Sequence, residues 1–270
     1  MATRTPTQSP APVPPDELEP QEGHELRMSL LDHLLELRSR ITKAVLALLI
    51  GVVIGFVITD PAFRFLLGPF CDVATECNLQ TLTPTEGLIS FLRVSLLLGG
   101  IIAIPVITYQ MLMFIIPGLT RRERRMILGS IPAITVLFLI GVWFAWAVLI
   151  PPALGFLANF QTDIFKADWT ADSYLGFVTS LLFWMGVAFQ TPLIFFTLSI
   201  IGLVTARGLA KQWRLAVVGS SVAAALITPT VDPVNMFLVI APLLVLYLIS
   251  ILLAAVGTRR FNRAGQVNTP

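Results

Sequence analysis

VSLLLGGIIAIPVITYQMLMFIIP, residues 94–117, followed by GLTRRERR, residues 118–125, decides the fold. The first stretch carries no Asp, Glu, Lys or Arg. As an α-helix rising 1.5 Å per residue it reaches about 36 Å, enough to cross the roughly 30 Å hydrocarbon core of a bilayer. Inside lipid the backbone finds no water, so a lone spanning segment must satisfy its own amides as a helix. Arg121, Arg122, Arg124 and Arg125 then end the run in the way cytoplasmic flanks do.

The rest of the chain repeats this pattern. Of 270 residues 56% are hydrophobic and 13% charged, against roughly a quarter charged in an average soluble domain. That excludes a soluble globule, because one compact core could not hide so much apolar side chain. A net charge of +2 gives no support to nucleic-acid binding, and two cysteines are too few for a disulfide-dense scaffold. Uncharged apolar runs occur at 44–59, 94–117, 126–150, 173–205, 215–228 and 234–257. With their flanks they predict an all-α integral membrane protein with six spans, at about 41–59, 88–117, 126–150, 173–203, 214–228 and 233–256. Residues 26–258 form the membrane domain, 1–25 a disordered, proline-rich tail and 259–270 a second tail.

Six spans put both termini on one side. Fifteen of the 18 Lys and Arg lie in the N-terminal segment, the second and fourth connections and the C-terminal tail; only Arg64, Arg93 and Lys166 lie opposite. The positive-inside rule makes the first set cytoplasmic and both termini inside, in a cell's inner membrane. Nothing in residues 1–40 reads as a cleaved signal peptide, so the first span is expected to act as its own insertion signal. Cys71 and Cys77 fall in the first outer connection, where thiols can oxidise. They are either a disulfide closing a short loop or two unpaired small residues. His24 and His33 are across the membrane from them, which leaves no metal set.

Prolines 105, 117, 132, 192 and 242 fall in or at the ends of spans and predict kinks that curve the bundle. Gly51 and Gly55 form GxxxG, a motif for close helix approach. The fifth run, 215–228, reaches only about 21 Å, so the bilayer beside it must thin or the span must recruit partners.

No span holds a serine with a histidine, paired aspartates or HExxH, and no GxxxxGKS or GxGxxG is present. The expectation is a non-enzyme without cofactors. Gln190 is the deepest polar candidate, either joining helices or facing a wet cavity. It is the main support for the alternative reading, a small-solute secondary transporter or channel, although no internal repeat is evident.

The informative carboxylates flank the membrane on the basic side. In SLLDHLLELRSRI, residues 29–41, Leu30, Leu34, Leu37 and Ile41 share one helical face, while Asp32, Glu36 and Arg40 share another. In TRRERR, residues 120–125, Glu123 sits among four arginines and also completes a capping box with Thr120. A carboxylate in each of two places beside the membrane suits the capture of guanidinium groups, which pair with carboxylates bidentately.

Taken together, these residues resemble the TatC family, the multispan receptor subunits of twin-arginine protein translocases. The likeness runs across nearly all of residues 29–257. It is carried by His33, Leu34, Glu36, Leu37, Arg38 and Arg40; by Pro105, Val106, Tyr109, Gln110, Phe114, Pro117 and Leu119; and by Glu123, Arg124 and Arg125. PALGFL (152–157), Tyr174, Leu175, Phe177, Thr228, Pro229, Asp232 and Met236 complete it. The resemblance implies a six-span, cup-shaped bundle that recognises paired arginines in signal peptides of folded cargo at the cytoplasmic face. Glu36 and Glu123 would contact those arginines, with Phe114, Arg38 and His33 shaping the same surface. Single-span TatA- and TatB-type partners would dock on the fifth and sixth spans, with Gln190, Thr228 and Asp232 as contact residues. The resemblance further implies a homo-oligomer within a larger complex, driven by the proton-motive force. The family frequently has a glutamate where this chain has Gln190, and a glutamine keeps the hydrogen-bonding capacity without the charge.

Overall fold

The computed structural model describes residues 30–74, 77–115, 129, 131–161, 169–200, 202–228 and 232–266. Their regular structure is helical, with no strand among the described residues beyond one isolated parallel bridge between Gln80 and Thr170. Five helical segments are long and apolar enough to cross a membrane: Leu34–Val57, Glu86–Phe114, Ile131–Asn159, Ala171–Ile200 and Pro233–Thr258. Trp213–Ile227 is a sixth, shorter apolar helix. The expected all-α, six-span architecture is therefore the observed one. Large apolar side chains such as Val53, Val57, Leu226 and Leu252 stand exposed along these segments, as they must where the surrounding solvent is lipid.

The first helix, α1 (Leu30–Val57), carries the amphipathic segment into the first span without a break. Helix α2 (Thr59–Cys71) follows at once and lies in what the sequence reads as the first outer connection. Pro61, Gly68 and Pro69 argue there for a loop. Leu66, Phe70 and their contacts in the core instead hold the segment helical. Helix α3 (Glu86–Ile115) is the second span.

The α1–α3 pair is the GxxxG contact that the sequence predicts. A Cβ on Gly51 would come within 2.5 Å of Gly99 O, one on Gly55 within 2.6 Å of Ser95 O, and one on Gly99 within 2.6 Å of Val52 N. Backbone meets backbone, so only glycine fits, and the gain is dispersion contact that a side chain would prevent. Beside it the Thr59 and Ser95 hydroxyls sit 2.7 Å apart and also donate to Gly55 O and Phe91 O, so each buried hydroxyl is satisfied.

The third span begins as α4 (Ile131–Phe144), widens into a π-helical turn at Ala145–Leu149 and continues as α5 (Ile150–Asn159). It runs past the boundary at 150 that the apolar pattern suggests. Pro151 and Pro152 explain both facts: they occupy the first turn of α5, where a missing amide hydrogen costs little, and the π turn absorbs the misfit just before them.

The fourth span is α6 (Ala171–Ala188) joined through Phe189 and Gln190 to α7 (Thr191–Ile200). Pro192 sits in the first turn of α7 and Pro132 in that of α4; Pro105 and Pro242 are the spanning prolines inside a helix, and Pro117 lies outside the described residues. A short α8 (Ala206–Lys211) leads into α9 (Trp213–Ile227), whose 15 residues rise only about 22 Å. The last helix, α10 (Pro233–Gln266), continues beyond the membrane-spanning stretch into residues read as tail.

Helix α6 is the centre of the core. Leu175, Val178, Leu181, Leu182 and Met185 are buried there with Val94 of α3, Leu149 of the π turn and Leu154 of α5. Trp169 and Tyr174 stack beside Phe70 of α2.

Candidate functional site

The amphipathic start of α1 and the far end of α3 meet in a small polar cluster. Arg40 donates through Nη2 to Glu36 Oε1 at 3.1 Å and through Nη1 to Gln110 Oε1 at 3.3 Å. The first bond follows from i,i+4 spacing on one helical face. The second ties α1 to α3 across 70 residues. Glu36 and Arg40 are only 17% and 20% exposed at the side chain, so the pair is screened from water. The second carboxylate oxygen of Glu36 is buried and, among the described residues, has no hydrogen-bond partner. A carboxylate in this state accepts a further donor readily, since leaving a charged acceptor unmet is costly.

Around this cluster, Arg38 is exposed and its carbonyl accepts from Thr42 Oγ1 at 2.8 Å. His33 lies on the same helix one turn before Leu37, and Phe114 is half-buried near the end of α3, one turn beyond Gln110. Glu123 lies outside the described residues. The structure thus brings Glu36, Arg40 and Gln110 together. Gln110 is the residue that reading for charge misses; its signal is a polar side chain within an apolar run, buried to 9% exposure.

The residues expected to meet partner helices lie on separate elements. Gln190 sits in the turn between α6 and α7 and donates through Nε2 to Ile134 O of α4 at 2.9 Å, while its Oε1 is buried without a partner among the described residues. It joins the third and fourth spans. Thr228 ends α9 and donates to Ala224 O at 2.8 Å. Asp232 starts α10, accepting from Asn235 N at 2.7 Å and Asn235 Nδ2 at 2.8 Å, as an N-cap does. Asn235 is itself 2% exposed.

At the other end of the bundle the loops are tied together. Cys71 and Cys77 form a disulfide with Cα atoms 4.8 Å apart. Gln80 accepts from Ala171 N and donates to Trp169 O, at 2.8 and 3.2 Å. Tyr174 donates its hydroxyl to Leu66 O at 2.6 Å. Arg93 meets Asp172, through Nη1 to Oδ1 and to the backbone carbonyl, both at 2.9 Å. No group of His, Cys, Asp and Glu capable of holding a metal occurs among the described residues.

Five long apolar helices, a short sixth one and a half-buried carboxylate cluster at one end define a multi-pass helical membrane protein. The sequence model for "TatC: Sec-independent protein translocase protein (TatC)" matches residues 32–242. The chain belongs to the TatC family, and is a component of the twin-arginine protein translocase. It is 36% identical over 247 residues to a Sec-independent protein translocase protein TatC of Synechocystis sp., spanning 92% of this chain and 95% of that one. A TatC of Aquifex aeolicus is 37% identical over 239 residues, 86% of this chain and 97% of that one. A chloroplastic TATC of Oryza sativa subsp. japonica is 40% identical over 221 residues, covering 82% of this chain but 61% of its own length. A crystal structure of "Twin Arginine Translocase Receptor- TatC" superposes with a TM-score of 0.76 at 36% identity, covering 84% of this chain and all of that one.

Proposed function

We propose that this chain is the receptor and core scaffold of a twin-arginine export machine, and that it binds the paired arginines of signal peptides on folded cargo. The observation that carries the reading is Glu36: its Oε1 already holds a guanidinium, that of Arg40, while its buried Oε2 has no hydrogen-bond partner among the described residues. A visiting arginine satisfies that oxygen with the same chemistry that Arg40 uses on the other. Glu123 supplies the second carboxylate, with Arg38, His33 and Phe114 bordering the surface. At about 4 Å and an effective dielectric of 20, one such charge pair is attracted by about 4 kcal/mol before desolvation is subtracted. The apolar part of the signal peptide then adds burial against the spans.

In this reading the protein is not an enzyme and has no cofactor. Both termini are cytoplasmic, the membrane is the cell's inner one, and the proton-motive force drives transport. TatA- and TatB-type single-span subunits dock near Thr228, Asp232 and Gln190, and several copies assemble in one complex.

The test is binding of a twin-arginine signal peptide to the protein in nanodiscs. Glu36→Gln and Glu123→Ala should each weaken binding about tenfold or more, the worth of a charge-assisted hydrogen bond, with thermal stability unchanged. Unchanged affinity in both variants removes these carboxylates from the reading.

A further inference from the structure

The Arg93–Asp172 pair stands at the mouth of a groove that the receptor reading does not use. The groove has a volume of about 600 Å3 and runs between α1, α3 and α6, lined by Leu48, Leu96, Leu97, Phe177 and Phe183. That volume is within the range of small-molecule sites. Along α3 it extends from Arg93 to Gly100, about 10 Å, and along α6 from Asp172 to Phe183, about 16 Å. Two of its hydroxyls make no demand on an occupant, since Thr179 donates to Leu175 O and Ser180 to Ile227 O, and the third, Ser173, accepts from Thr170 Oγ1 beside Asp172. Two glycines create the space: a Cβ on Gly176 would press on Arg93 Nη1 at 2.7 Å, while one on Gly100 would meet nothing.

The mouth and the body of the groove thus differ in chemistry. Arg93 makes both its bonds to Asp172 through Nη1. Among the described residues, Nη2 and Nε of the guanidinium and Oδ2 of the carboxylate have no protein partner. The pair is 35% and 44% exposed, so both unused edges can be reached. A positive and a negative group side by side, above an apolar slot that opens on lipid, complement a ligand with a phosphate, an ammonium and an acyl chain.

We propose that this groove binds one phosphatidylethanolamine-type lipid from the leaflet at the Arg93 end, with its phosphate on Arg93, its ammonium on Asp172 Oδ2 and one acyl chain in the slot. The choice among headgroups follows from charge and hydrogen bonding. An anionic glycerol headgroup brings its phosphate to Arg93 and neutral hydroxyl donors, but no positive charge, to Asp172, whose carboxylate repels the phosphate. A choline headgroup is neutral overall, yet its quaternary nitrogen has no hydrogen to donate to a carboxylate. A primary ammonium satisfies both requirements.

The test measures lipid retained on the purified full-length protein by native mass spectrometry, after equal exposure to ethanolamine, choline and glycerol phospholipids of matched chains. The ethanolamine lipid should be retained about three- to fivefold more than the other two, the size expected of a partly exposed charge contact. Asp172→Asn should abolish that preference, Arg93→Gln should lower retention of all three, and Gly100→Leu should do the same with the ion pair intact. The Gly100 variant also covers the case in which loss of the ion pair loosens the fold. Equal retention of the three headgroups, tighter binding of the glycerol lipid, or a preference that survives Asp172→Asn overturns the proposal.

Discussion

The two ends of this bundle are built in opposite ways. At the end bearing Cys71 and Cys77, a disulfide, the Gln80–Thr170 bridge, the Tyr174–Leu66 hydrogen bond and the Arg93–Asp172 pair connect α2, α3, α6 and the loops between them. At the Glu36 end, among the described residues, the side-chain tie between spans α1 and α3 is one hydrogen bond, from Arg40 to Gln110. The first end spends most of its polar groups on holding itself together, leaving over the exposed edges of the Arg93–Asp172 pair and, among the described residues, the Ser90 hydroxyl. The second leaves a buried carboxylate oxygen unmet. A receptor surface has to keep such capacity in reserve, and a scaffold has to remove it. On the proposed receptor reading, the contrast separates the two roles between the two ends of the bundle.

The largest effect should come from the contact both ends share. Gly51→Leu forces a branched side chain onto Gly99 O and should cost about 3 kcal/mol by overpacking, read as a lowered unfolding midpoint in detergent, and should also weaken peptide binding. A variant as stable as the parent would mean that α1 does not depend on this seam. Next, Tyr174→Phe removes a buried donor from Leu66 O and should cost about 1–3 kcal/mol while leaving peptide affinity unchanged. Weaker peptide binding in that variant would break the separation of roles. Arg40→Lys, which keeps a cation at i,i+4 from Glu36 and gives up only the Gln110 hydrogen bond, should have the smallest effect on stability, about 0.5 kcal/mol. A loss as large as that of Tyr174→Phe would show that the Glu36 end is braced as firmly as the other.

What was legible in the sequence follows from the range of each interaction. Spans are legible because lipid imposes its demand residue by residue, and charge marks their limits; the brevity of α9 could be read from Arg214 and the turn after Thr228. Gly51 and Gly55 announced a helix contact, although nothing local named Gly99 as the partner. Helix α2 was not legible, since its prolines and glycine signal a loop and its helix is held by burial of Leu66 and Phe70 against distant residues. The same limit applies to the polar clusters. Glu36 and Arg40 could be paired from spacing alone, whereas Gln110 and the Arg93–Asp172 contact join residues 70 and 79 positions apart. Prolines gave half their meaning: Pro132 and Pro192 begin helices rather than bend them.

One consequence follows from α1 being a single helix from Leu30 to Val57. No proline interrupts it, and Gly51 lies 15 residues, about 22 Å, beyond Glu36. A pull applied at Glu36 therefore has no hinge in which to dissipate and acts as a torque on a stiff lever whose fulcrum is the glycine seam. On the proposed receptor reading, occupancy at Glu36 would tilt the whole rod and carry the load to its far tip, next to α2.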